Sequence, residues 1–123
     1  MQQIKTFEEA CEKLGINPAE FVITLPEKAS HHAKALAAHA KLVIITEALN
    51  DGWKPDWSNG DWDKYYPWFY MNTSSGSGFS YCDFGYDLSY SVVGSRLCFK
   101  SSDLAKYAAE QFTDLYRDYF LID

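Results

Sequence analysis

The chain has little with which to build a covalent or metal-held framework. Its three cysteines, Cys11, Cys82 and Cys98, are odd in number and far apart. No CxxC pair occurs, which excludes a zinc ribbon and a thioredoxin-type redox site. Small secreted scaffolds carry dense, even cysteine sets. The chain therefore reads as reduced and cytoplasmic, with its cysteines serving as small buried apolar side chains. Basic charge is also scarce: 11 Lys and Arg stand against 17 Asp and Glu, a net charge of −6. Surfaces that hold duplex nucleic acid or an anionic membrane are basic, and no Lys/Arg run supplies one here. The longest apolar run, Leu42 to Thr46, falls far short of the roughly 20 residues of a membrane helix. The polar start, MQQIKTFEEA, does not have the pattern of a signal peptide.

Catalytic and metal signatures are missing as well. GxSxG, the P-loop and GxGxxG do not occur. His31, His32 and His39 lack the i,i+4 spacing of a helical metal pair. Asp56, Asp61 and Asp63 suggest a calcium loop, but counting from Asp56 the sixth position is Asp61 where glycine is needed. The twelfth is Pro67 where glutamate is needed. Turn-forming aspartates account for them better. Asp83 and Asp87 flank Phe84-Gly85-Tyr86, and the kinase-like triplet Asp83-Phe84-Gly85 has none of its companion motifs. The expectation is no enzyme, no cofactor and no metal.

What the chain does have is aromatic side chains, 17% of the residues. Fourteen of them lie between Gly52 and Lys100 and seven elsewhere, and all four tryptophans fall in the first part of that block. Helix-favouring segments flank it. Thr6 and Glu9 form a capping box for a short helix that Gly15 ends. Asn17-Pro18 opens a single turn. Pro26 to Asn50 carries the longest helical pattern, with Ala38, Leu42, Ile45 and Leu49 on one stripe. Trp53 to Asp63 reads as a loop. Lys64 to Met71 and Phe79 to Phe84 read as strands joined by a loop over residues 73–78, and Arg96 to Lys100 as a last strand. Pro67, which lacks an N–H, puts the first strand at a sheet edge or a bulge. Ser101 or Ser102 caps a final helix whose inner face carries Leu104, Ala108, Phe112, Leu115 and Tyr119. The whole chain, 1–123, is expected to form a single α+β domain: N-terminal helices, a short antiparallel β-meander and a C-terminal helix packed on one sheet face.

Strand alternation sends Tyr65, Pro67 and Phe69 to one face and Tyr66, Trp68 and Tyr70 to the other. Helices on one side cover only one set. The other is expected to meet water or a partner, and a contiguous aromatic face marks an interaction site.

Gly52-Trp53-Lys54-Pro55-Asp56-Trp57, Lys64-Tyr65-Tyr66-Pro67-Trp68-Phe69 and the run from Gly94 to Ser101 before a helix resemble small uncharacterised proteins of bacteriophages, prophages and mobile elements, especially of Bacteroidetes. The resemblance implies a phage or mobile-element setting and supplies no activity and no site residues. Read with the aromatic face, it leads to an expected protein-interaction module. It would bind a protein partner or a second copy through Trp53, Trp57, Trp62, Tyr66, Trp68 and Tyr70. Two other readings stay open: an acidic inhibitor that occupies a nucleic-acid-binding site on a host protein, and a small-ligand or glycan binder that uses the tryptophans as stacking platforms.

Overall fold

Helix α1 (Phe7–Leu14) starts where Thr6 Oγ1 accepts from the Glu9 amide at 3.1 Å and stops at Gly15, whose φ of 73° is open to glycine at little cost. Its inner face, Phe7, Ala10 and Cys11, is buried. The computed structural model describes residues 4–60, 63–72, 78–89 and 91–122. A 3₁₀ turn over Pro18–Glu20 is capped by Asn17. The long helical pattern then divides. Glu27–His32 is 3₁₀ and only Ala33–Asn50 is α-helix, here α2. The β-branched run Val43 to Thr46 stays helical because α2 is covered on more than one side: Thr46, Ala48 and Asn50 are buried as well as the expected stripe. Among the described residues no helix is long and apolar enough to cross a membrane.

Strands β1 (Lys64–Asn72) and β2 (Gly78–Asp87) form a two-stranded antiparallel ribbon. The linker residues 73–77 lie outside the described set. The expected third strand contracts to one bridge, in which Tyr65 and Phe99 exchange backbone hydrogen bonds of 3.0 and 2.7 Å. Pro67 explains why pairing stops there. Residues 65 and 67 aim their backbone groups at the same edge, and Pro67 has no N–H to offer.

The final helix is also two. Helix α3 (Ser102–Gln111), capped by Ser101 Oγ, breaks at Phe112, and α4 (Thr113–Phe120) follows. The Thr113 hydroxyl donates to the Ala109 and Glu110 carbonyls at 2.6 and 3.1 Å and so competes with the amides that would continue the helix. The break rotates the inner face. Tyr116 is buried, while Leu115 and Tyr119 are only half-buried.

Helices α3 and α4 both pack on the ribbon, and α1 and α4 pack on α2. The sheet-facing core joins Phe69 and Phe79, stacked at 4.6 Å, with Tyr116 and Phe120 against the Phe69 ring. The N-terminus is tied across α3 by Tyr107 Oη and Gln111 Nε2, which donate to the Ile4 and Lys5 carbonyls. The fold is α+β, with helices on one face of the sheet.

Candidate functional site

The other face of the ribbon carries Lys64, Tyr66, Trp68 and Tyr70, in agreement with the alternation. Its two ends differ. At the first end Lys64 is 0% exposed. Its ammonium donates to the Asn59 carbonyl at 2.9 Å and to the Leu88 carbonyl, and lies 5.1 Å over the Trp57 ring. Trp57 Nε1 in turn donates to Ser95 Oγ at 2.6 Å. Two loops, before β1 and after β2, thus fold over this end and bind one another through a single buried cation. Asp87, directly across the ladder from Lys64, takes the Val92 amide and holds the second loop. Asp56 forms the turn expected of it, accepting from the Ser58 hydroxyl and amide, and these hydrogen bonds hold its carboxyl below the usual range. Tyr66, next to Lys64 on this face, is only 8% exposed. The expectation that Tyr66 shares the open aromatic triplet is therefore corrected: it is buried beside the enclosed Lys64.

At the second end the face is open. Trp68 is 49% exposed and Tyr70 62%. The Trp68 indole lies across Gly85. A Cβ on Gly85 would stand 2.5 Å from Trp68 Nε1, so only glycine lets the ring lie flat on the strand. One ring face meets backbone and the other meets water. Asp83, exposed, is the ladder partner of Trp68, and Ser80 that of Tyr70. Between these two pairs the register shifts, so that β2 has Cys82 as an extra residue. A bulge of this kind twists the ribbon and re-aims the side chains beside it.

A separate groove of about 470 Å³ opens between the end of α2 and the two loops, lined by Val43, Thr46, Glu47, Trp53, Lys54 and Arg96 among others. Asn50 fixes its back wall. It donates to the Cys98 carbonyl at 2.9 Å and accepts the Lys100 amide at 3.1 Å, stitching α2 to the bridge segment. Cys98 is fully buried, and desolvation pushes its thiol up to about 11, which makes it an inert core group.

Of the six aromatic residues singled out from sequence, the structure brings Trp68 and Tyr70 together on the open end. Trp53 lines the groove instead. Trp57 is a loop strut, Tyr66 is covered, and Trp62 lies outside the described residues. His39 stacks on Tyr119 at 4.5 Å and His31 lies against His32. Sequence reasoning missed Lys64 and Arg96. An isolated lysine at a strand start looks like an ordinary solvated residue, and no local pattern announces that two loops converge on it. The chain matches no protein-family model, no curated protein and no solved structure.

Proposed function

We propose that the chain is a non-enzymatic protein-interaction module of a phage or mobile element, acting in the host cytoplasm and docking a protein partner on the Trp68–Tyr70 end of the ribbon. The observation that carries this reading is the pair of large rings left in water on the sheet face that none of the described helices covers. Trp and Tyr are the residues most enriched in interface hot spots. Here they project from strands and not from a mobile loop, so little side-chain freedom is lost on binding. The carboxylate of Asp83 beside an indole face suits a partner that brings a cationic side chain, because Arg stacks on aromatic rings and pairs with carboxylates.

The test uses the intact chain as bait against host lysate, beside Trp68→Ala/Tyr70→Ala and Gly85→Ala. The Cβ of the last variant displaces the indole without removing it. A specific partner lost with both variants, while both keep a cooperative thermal transition, supports the reading. Sedimentation of the free protein separates a second copy from a foreign partner. A partner retained at full strength by both variants refutes the docking face.

A further inference from the structure

The groove beside Trp53 has the makings of a second site, independent of the ribbon face. We infer that it binds a small molecule that joins a flat ring to a single oxyanion. Four observations lead there. Its volume, about 470 Å³, is in the range of ligand pockets, roughly 300–1,000 Å³. Thr46 lines it while being only 1% exposed, so this residue sits at its floor, and its hydroxyl, which has no hydrogen-bond partner among the described residues, is sealed beneath the groove surface. A buried hydroxyl left unpaired is unfavourable, and a helical threonine can usually satisfy itself on the carbonyl a turn back. This one does not. Lys54 and Arg96 are exposed on the rim and have no ion-pair partner among the described residues, in a chain with six more acidic than basic groups. Trp53 is half-exposed, and its amide donates to the Asn50 carbonyl at 3.0 Å, which fixes its backbone to the end of α2.

These parts imply a pose. The ring lies against the Trp53 indole, above the floor that Thr46 forms. The oxyanion meets Arg96, whose planar fork matches carboxylate or phosphate, with Lys54 adding charge. Glu47, the acidic residue among the described lining, disfavours a second negative group, so the ligand carries one. The competing account is that Lys54 and Arg96 merely complement the negative C-terminal end of α2.

The experiment titrates the full-length protein with two classes of probe, aromatic carboxylates and nucleoside monophosphates, reading amide and indole NMR shifts and thermal protection. A tryptamine-type cation is the control. Saturable binding by either anion class is expected, with shifts at Trp53 and the 43–50 segment, and the class that binds more tightly identifies the oxyanion. Arg96→Gln should weaken it about tenfold or more. Trp53→Ala is the sharper variant. It removes the ring on which the ligand stacks and leaves both cations in place, so affinity should fall several-fold while the cooperative thermal transition is kept. A site made by charge alone would bind this variant as tightly as the parent. Absence of saturable binding by both anion classes up to roughly ten millimolar, preference for the cation, or affinity unchanged in Arg96→Gln and Trp53→Ala overturns the inference.

Discussion

Phe69 and its neighbours Trp68 and Tyr70 are successive residues of one strand, similar in size and apolar character, yet they have opposite fates. Phe69 is buried among Phe79, Tyr116 and Phe120, and the other two stand in water. The outer face is itself divided, since at its other end Lys64 is enclosed by two loops and Tyr66 beside it is buried. Burial in this ribbon is therefore not a property of the residue type. It follows from what the rest of the chain places over each position: two helices on one face, two loops on half of the other, and no described element on the remainder. Aromatic residues at the third place contribute nothing to the core, which is why they need another explanation.

The largest effect should come from testing the two faces against each other. Phe69→Ala removes a ring with four aromatic neighbours and leaves a cavity, which costs about 3–5 kcal/mol. Small domains have only about 5–15 kcal/mol in total, so this variant should be close to unfolding at 37 °C. Tyr70→Ala, one residue on, should change stability by less than about 0.5 kcal/mol. Urea denaturation of the two variants checks the contrast directly. Similar losses would mean that the outer face is covered by something other than water.

The closed end of the outer face comes next. Lys64→Met keeps most of the side-chain volume and removes the donor shared by the Asn59 and Leu88 carbonyls. Withdrawing a buried hydrogen-bonding partner costs about 1–3 kcal/mol, and we expect a loss of about 2–3 kcal/mol. Hydrogen exchange should also quicken in both loops together, around residues 56–60 and 88–95. Trp57→Phe, which keeps a ring over the ammonium but loses the bond to Ser95, should cost less than about 1 kcal/mol. If only one loop loosens in Lys64→Met, the two are not coupled through this cation.

Local signals in the sequence found the side-chain-capped helix starts and the glycine stop of α1, because caps are local chemistry. Thr6 with Gly15, Asn17 with Pro18, and Ser101 each do in the structure what their positions imply. The ribbon and its alternation were legible for the same reason. What was not legible depends on distant partners. The bulge at Cys82 is set by how two strands run past each other, and the burial of Lys64 by two loops more than twenty residues apart in the chain. The break at Phe112 had a local sign, Thr113 in a helix interior, which the apolar stripe from Leu104 to Tyr119 outweighed on reading. The groove was beyond reach altogether, since Thr46, Trp53 and Arg96 come from three segments and share no motif.

The remaining predicted effect has the opposite sign and lies at the centre of the inner face. Tyr116 is 2% exposed, and its hydroxyl has no partner among the described residues. Burial pushes its phenol well above the ordinary tyrosine range, because the ionised form has no water there. The ring contributes through its contacts with Phe69 and Phe120, while the oxygen only adds a desolvated dipole. Tyr116→Phe keeps the ring and deletes the oxygen. It should stabilise the protein by about 1 kcal/mol, a rise of roughly 4 °C in melting temperature for a chain of 123 residues. Tyr70→Phe makes the same chemical change on the open end, where water already solvates the hydroxyl, and should leave the melting temperature where it was. A loss of stability in Tyr116→Phe would show that the buried hydroxyl has a hydrogen-bond partner after all, and the inner face would then be held by more than ring contacts.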